Sequence, residues 1–199
     1  MSAAMYENSS SPKKKIDPRI QHTREILGDA LVALIHERPF DTITVQQVLD
    51  RAGVSRSTFY QHYRDKEDLF ISDVDEFFEL MATLLLRRQE MSARVAPVRE
   101  FFAHVGETVE LLSALTRSNK LHEVMEMGEL HFARAIEDRL AQLPDTCAIP
   151  AVRRSAIANA LAGGLFGLLS WWTRQGMPVS STEMDELFHS LLWNGVVRP

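Results

Sequence analysis

The chain has 199 residues, of which 45% are hydrophobic and 25% are charged, and its net charge is −5. This apolar content is sufficient for a buried core and excludes a largely disordered chain. Cys147 is the only cysteine, which excludes an intrachain disulfide and favours a reducing cytoplasm. No apolar run follows Lys13, Lys14 and Lys15, so we expect no signal peptide. The longest weakly polar stretch, 160–172, is short for a membrane span, and we expect no contact with a membrane.

Charge is distributed unevenly along the chain. Residues 13–66 contain ten Lys or Arg and seven Asp or Glu, a net of +3 against a total of −5, which leaves −8 on the remainder. A basic end joined to an acidic remainder is typical of a nucleic-acid contact confined to one end.

The first predicted elements are an arm and a helix. Residues 1–15 are rich in Ser and Lys and predict a flexible arm. Apolar residues then recur at helical spacing from Pro18 to Arg38, with Pro18 suited to a first turn. Pro39 ends this helix, because its ring would clash with the preceding turn.

Two short helices and a longer one follow. Thr44 is predicted to cap a helix that runs to Ala52, and Gly53 permits a sharp turn. Ser55 is predicted to cap a second short helix ending near Tyr63, and Asp65 to cap a third.

The rest of the chain also has helical patterns. Pro97 is predicted to open a helix, residues 120–143 a helix broken near Gly128, and residues 151–175 a long helix. Ser181 or Thr182 is predicted to cap a final helix that ends near Asn194. No run alternates long enough to predict a strand, so the expected fold class is all-α.

The two short helices have the properties of a helix-turn-helix. A helix that enters the major groove is short, is held by a neighbouring helix, and is polar on its outward face. Val45, Val48, Leu49 and Phe59 supply the inner side, and the segment 56–62 supplies outward donors and acceptors. Spacing by itself fits equally well a polar-faced helix pair in any helical protein.

A family resemblance separates these alternatives. The segment 26–70 resembles the N-terminal domain of the TetR/AcrR family of transcriptional regulators. The resemblance is carried by Thr44-Val45, Ala52-Gly53-Val54-Ser55, Ser57-Thr58-Phe59-Tyr60, Tyr63 and Asp65-Lys66-Glu67-Asp68-Leu69. Gly28 inside the first helix and Pro39 before Phe40 depart from the usual family pattern.

The resemblance implies a three-helix helix-turn-helix DNA-binding domain at 16–66 and a larger helical ligand-binding and dimerisation domain at 67–199. It places Thr44, Tyr60, Tyr63 and Lys66 on the phosphate backbone. The full set of expected DNA contacts is Thr44, Ser55, Arg56, Ser57, Thr58, Tyr60, Gln61, His62, Tyr63 and Lys66. Base readout is expected of Arg56, Ser57, Gln61 and His62.

A dimer is predicted because a short reading helix usually needs a second half-site on the DNA. Small residues at helical spacing would let two helices approach closely, with leucines of the last helix beside them. The predicted interface consists of Ala156, Ala160, Gly163, Gly164, Gly167, Leu187 and Leu191. The alternative is that these residues form ordinary core within one chain.

An apolar effector is predicted to bind between the middle helices, where Met and aromatic residues are frequent. The candidate lining residues are Phe101, Phe102, His122, Met125, His131, Phe132 and Trp171. These residues can equally belong to the core.

The predicted function is therefore a dimeric, cytoplasmic repressor that binds a palindromic operator in double-stranded DNA and is released by a small molecule. We expect no enzyme activity and no cofactor. One alternative is a family relative that acts mainly through a protein partner. The other is a metal-dependent helical enzyme, suggested by His122 with Glu126 and by Glu186 with His189. A single such motif is insufficient, since these metal sites draw several from facing helices.

Overall fold

A computed structural model describes residues 17–195, and the predicted arm at 1–15 lies outside this range. Within it the chain forms α-helices and one short 3-10 turn, and no strand, which confirms the all-α fold class. The elements are α1 (Pro18–Glu37), the 3-10 turn (Phe40–Thr42), α2 (Val45–Ala52), α3 (Arg56–His62), α4 (Lys66–Ala82), α5 (Leu84–Arg87), α6 (Val98–Glu107), α7 (Val109–Arg117), α8 (Leu121–Gln142), α9 (Ala151–Arg174) and α10 (Ser181–Gly195).

The first three helices form a small unit, which we call the reading unit (18–62). Helix α1 packs along α2, and α2 contacts α3. Leu27, Val48 and Phe59 are fully buried at its centre. Because 3.6 residues make one turn, the buried positions of α1 fall on one stripe, and the other face stays polar.

The remaining helices form a larger body. Helices α8 and α9 pack along most of their length, α4 packs on α8, and α6 packs on α10. Phe101 lies at the centre of an aromatic cluster, with ring centroids 4.9 Å from Phe132 and 5.5 Å from Phe166. Aromatic rings contribute large buried areas and pack at tilted angles, and here they join α6, α8 and α9.

Helix α8 is continuous, so the predicted break at Gly128 is wrong. Gly128 lies inside α8, where its missing side chain leaves room for two rings. A Cβ at this position would collide with Phe166 and lie 2.7 Å from Phe78. The glycine therefore serves close packing of α8 against α4 and α9 and does not terminate the helix.

One helix matches its predicted start, and one cap differs from prediction. The helix predicted to open at Pro97 is α6, which ends at Glu107, and α7 starts after Thr108. The cap of α10 is Ser180, one residue before the predicted Ser181 or Thr182. The Ser180 hydroxyl accepts from the Glu183 amide at 3.2 Å, and the Glu183 carboxylate accepts from the Ser180 amide at 2.8 Å.

The segment between α5 and α6 is held by buried charge. Arg139 donates hydrogen bonds to the carbonyls of Glu90 and Ser92, both at 2.7 Å. Arg94 pairs with Glu100 at 2.6 Å and with Asp185 on α10 at 2.8 Å. A guanidinium group has five donors, so one side chain satisfies several carbonyls of a segment without regular structure.

Within residues 17–195, α9 is the helix whose length and composition would also suit a membrane span. Core helices of helical proteins have the same properties, and α9 buries Leu165, Phe166 and Leu169 against the body. We therefore interpret α9 as a helix of the body.

Helix α1 approaches α4 closely at Gly28. A Cβ there would collide with Oδ1 of Asp73 and lie 3.0 Å from its Cγ. Burial raises the pKa of Asp73 to about 6, Glu76 and Asp29 add to the shift, and Arg24 opposes it. Gly28 thus gives room for a partly buried carboxyl group between the reading unit and the body.

The packing around Gly128 predicts a stability effect. Gly128→Ala should lower the free energy of unfolding by about 1–3 kcal/mol, because the added methyl group overpacks two buried rings. Gly106→Ala is the matched control, since a Cβ at Gly106 meets no atom closer than 3.4 Å. The control should raise stability by up to about 1 kcal/mol through helix propensity. Urea denaturation measures both; equal effects of the two variants would contradict this packing.

The raised pKa of Asp73 predicts a pH dependence. The Asp73 carboxyl group has its ordinary pKa of 3.8 in the unfolded chain and a pKa of about 6 in the folded protein. The protonated carboxyl group therefore stabilises the folded protein at low pH, and this stabilisation is lost as the pH rises from about 3.8 to about 6. Asp73→Asn should therefore stabilise the protein at neutral pH, and this gain should disappear near pH 4. Thermal melts from pH 4 to 8 measure the difference. Asp138→Asn, at an exposed aspartate of α8, is the control and should show no such trend.

Candidate nucleic-acid interface and ligand cavity

The two short helices of the reading unit are capped as predicted. The Thr44 hydroxyl accepts from the Gln47 amide at 3.3 Å, and the Gln47 side chain accepts from the Thr44 amide at 2.9 Å. Ser55 caps α3 by accepting from the Thr58 amide at 3.2 Å. Gly53 ends α2 with φ +67°, a left-handed conformation that side chains disfavour. These caps set where α2 begins and ends and where α3 begins.

The outward face of α3 is polar and accessible. Arg56, Ser57 and Gln61 are exposed, and Tyr60 is 51% exposed. Ser55 is exposed, Thr58 and His62 are partly buried, and Phe59 points inward. A helix with this face offers guanidinium, hydroxyl and amide groups to base edges and phosphates.

Several of these polar groups hydrogen-bond to one another in the protein alone. The Ser55 hydroxyl lies 2.9 Å from that of Ser57 and 2.8 Å from that of Thr58. Arg56 donates to the side-chain oxygen of Gln46 on α2 at 3.2 Å. Contacts to DNA would have to compete with these weak exposed bonds, a small cost at an exposed surface.

Two predicted phosphate ligands have structural partners. Tyr63 is buried, and its hydroxyl accepts a hydrogen bond from Arg24 at 3.1 Å. The Lys66 ammonium donates to the carbonyls of Phe40 at 2.7 Å and Ile43 at 2.8 Å. It also lies 4.6 Å from the centroid of the Phe40 ring. Replacing Lys66 would therefore remove hydrogen bonds that hold the 3-10 turn as well as a positive charge. Lys66 thus has a structural role in addition to the predicted phosphate contact.

Arg24 connects the end of α3 to α4. Besides Tyr63, its guanidinium donates to Ser72 at 2.7 Å and lies 3.7 Å from the Glu76 carboxylate. Arg24 is not among the residues predicted from the sequence to bind DNA or a ligand. The sequence does contain one indication of its role: Arg24 lies on the apolar stripe of α1, between Ile20 and Leu27, where a charged residue is unexpected.

A cavity of about 490 Å³ lies between α1 and the body. Its wall is formed by α1, α4, α6, α7 and α8, with Tyr63 of the α3–α4 junction and two residues of α9. Buried apolar side chains form its inner part, including Leu31, Phe101 and Phe166. Its volume and apolar lining are typical of small-molecule sites.

The structure brings only part of the predicted pocket together. Phe101 and Met125 line the cavity. The other five predicted residues lie elsewhere. Phe132 and Phe102 are fully buried core, Trp171 is 42% exposed, His122 is exposed beside Glu126, and His131 lies 2.8 Å from Asp75. Aromatic and methionine content identifies apolar residues but cannot separate a packed core from a cavity wall, because both are built from the same side chains.

The residues of the predicted dimer interface share one accessible surface. Ala156, Ala160, Gly163, Gly164 and Gly167 are exposed on α9. On α10, Leu187 is 44% and Leu191 is 60% exposed. A shallow apolar groove of about 420 Å³ runs between these helices. We call this surface the α9–α10 face. Within one chain these residues are not core, so that alternative does not apply to the described structure.

His189, one of the residues that suggested a metal site, has other partners. The imidazole of His189 is buried; its Nδ1 donates to the carbonyl of Asp185, and its Nε2 accepts from the Val95 amide. Glu186 is exposed. Among residues 17–195, no group of three His, Cys, Asp or Glu side chains is placed to hold a metal ion. The His189 ring is thus committed to holding the segment before α6 against α10.

Comparison with known proteins agrees with the local geometry. Residues 27–72 match the family described as bacterial regulatory proteins, tetR family. Over 58 residues the chain is 36% identical to the uncharacterised HTH-type transcriptional regulator YxbF of Bacillus subtilis (strain 168). That stretch covers 29% of this chain and 15% of the relative.

Solved structures match over most of the chain. The fatty acid degradation regulator FadR from Bacillus halodurans superposes with a TM-score of 0.60 at 18% identity, covering 92% of this chain and 98% of its own. NalD, the secondary repressor of the MexAB-OprM multidrug efflux pump in Pseudomonas aeruginosa, superposes with a TM-score of 0.54 at 20% identity, covering 90% and 98%.

At these identities the solved structures establish the fold, and the match over 27–72 establishes the type of the N-terminal domain. Residues 27–72, with the capped α2–α3 pair, therefore form an N-terminal domain of the tetR-family type, and the described chain shares its overall fold with these solved regulators.

Proposed function

We propose that the protein is a dimeric, cytoplasmic repressor that binds a roughly palindromic operator through α3 and is released from it by a small molecule. The observation that carries the proposal is the exposed polar face of α3 on a unit fixed by the caps at Thr44 and Ser55. A short helix held in this way can enter the major groove, where Arg56, Ser57 and Gln61 would meet base edges.

The α9–α10 face supports the dimer. Helical glycines lower helix stability, yet a Cβ at Gly163, Gly164 or Gly167 would meet no atom within 4 Å. Packing within the chain therefore does not account for them. A second copy of the chain would cover the exposed leucines of α10, and the small residues of α9 would let the two helices approach closely.

The position of the cavity supports release by a ligand. Helix α1 belongs to the reading unit and also forms one wall of the cavity, as does Tyr63 directly after α3. A ligand that occupies the cavity would shift these walls and with them the spacing of the two reading helices. By linkage, such a ligand must bind the free protein more tightly than the DNA-bound protein.

Selection of DNA from a random library with the purified protein tests operator binding. We expect enrichment of an inverted repeat whose half-sites are about one helical turn apart. Gln61→Ala and Arg56→Ala should relax the preference at individual positions and cost about 1–3 kcal/mol each. Arg153→Ala, at an exposed arginine of α9, is the control and should keep the preference. If no sequence is enriched at modest salt, operator binding is refuted.

The dimer is tested by sedimentation of variants on the α9–α10 face. Leu191→Glu should yield monomers, because it would bury an unpaired carboxylate at the interface. Leu130→Glu is the matched control, since Leu130 is a 51% exposed leucine on α8, outside this face. The variants should both fold, and only the control should remain dimeric. A wild-type protein that sediments as a monomer would contradict the proposal.

A further inference from the structure

We infer that the cavity takes an amphipathic cation: a molecule with an apolar body that enters between the helices and a positively charged head that stays at the open end. This inference deepens the proposed ligand release and rests on the cavity being the effector site. It follows from the distribution of charge on the cavity wall.

The four carboxylates of the wall belong to two helices that pack against each other, α1 and α4. Glu25 and Asp29 on α1 are exposed, and Asp73 and Glu76 on α4 are partly buried. Several apolar lining residues, such as Phe101 and Phe166, are fully buried, although Leu80 is 43% exposed. The carboxylates therefore belong to the solvent-accessible part of the wall, and most of the fully buried part is apolar.

The cationic side chain of the wall is not available to a ligand. Arg24 is the single Lys or Arg among the described lining residues, and it is already bound to Tyr63, Ser72 and Glu76. Burial lowers the pKa of His104, which keeps this imidazole neutral at neutral pH. An anionic head group would therefore meet four carboxylates and no free positive charge.

Among the described lining residues, Asp73 is the partly buried carboxylate that receives no hydrogen bond. No residue within 17–195 donates a hydrogen bond to it, although it is partly buried and faces the cavity. The backbone of Gly28 lies against it, so α1 offers it space and no donor side chain at that point. A partly buried carboxyl group without a donor favours a cation placed beside it. A ligand ammonium at this position would supply the missing charge.

A head group beside Asp73 would also be close to the connection with the reading unit. Glu76, one turn along α4, is the carboxylate that pairs with Arg24, and Arg24 holds the Tyr63 hydroxyl. A ligand cation would compete with Arg24 for Glu76. The effect of binding would then reach Tyr63, the residue that ends α3.

Calorimetry with two probes of equal tail length tests the inference on the purified full chain, without DNA. Decyltrimethylammonium should bind, and decanoate should bind at least about tenfold more weakly, because the tails are identical and only the head charge differs. The affinity for the cation should fall as salt rises. Binding of decanoate at equal or higher affinity overturns the inference, as does the absence of binding by the cation.

A double variant locates the charge preference. Asp73→Asn with Glu76→Gln should weaken the cation at least about tenfold and leave decanoate unchanged or tighter. Glu126→Gln with Asp138→Asn is the matched control, because it removes the same charge from exposed positions on α8 outside the cavity wall.

Thermal melts test whether the variants fold. Asp29→Asn, at an exposed position, provides a milder variant that should show a smaller loss of cation affinity. A cation affinity that falls equally in both double variants contradicts the assignment.

Measuring operator affinity with and without decyltrimethylammonium separates this inference from the proposed function. Charge-selective binding that leaves operator affinity unchanged refutes ligand release but supports the assigned ligand class. Operator binding by a protein that shows no preference for the cation refutes the ligand class alone.

Discussion

The placement of α1 is the constraint on which the rest of the structure depends. This helix packs against α2 in the reading unit and against α4 and α7 in the body, so both units share it. Its buried stripe, which includes Leu27 and Leu31, serves the two cores at once. In the proposed ligand release, a displacement of α1 at the cavity wall would reach α2 directly, because α1 packs against it.

Polar contacts fix this junction at two points. At one, Arg24 bridges Tyr63, Ser72 and Glu76, which ties the end of α3 to α4. At the other, the ammonium groups of Lys66 and Lys120 both lie over the Phe40 ring, at 4.6 Å and 4.9 Å from its centroid. Cations over an aromatic face are favourable, and more so when partly desolvated. Both contacts depend on charged groups, and of the residues named here Arg24, Tyr63 and Glu76 line the cavity, so a charged ligand head would act on the first contact.

The two accessible apolar features of the body have different characters. The cavity has a volume of about 490 Å³ and a largely apolar wall with several carboxylates, which suits one small molecule. The α9–α10 face is shallow and formed by small residues and leucines, which suits another helix pair. Because their lining residues differ, the proposed dimer would leave the cavity open to a ligand. The proposed ligand-dependent spacing of two reading helices would require this arrangement.

The sequence by itself determined the all-α class, the two caps at Thr44 and Ser55, and the turn at Gly53, because these depend on local hydrogen bonds and backbone freedom. It also identified the small-residue stripe of α9. Tertiary structure decided the rest. Gly128 does not interrupt α8 because two rings from other helices occupy its vacant side. Phe102 and Phe132 are core, while Asp73 and Arg24 face a cavity. Neighbouring helices that are distant in sequence decide which side chains are packed and which face empty space. Tertiary structure also decides the contacts of Tyr63 and Lys66. Tyr63 bonds to Arg24 on α1, and Lys66 bonds to the carbonyls of Phe40 and Ile43 in and directly after the 3-10 turn.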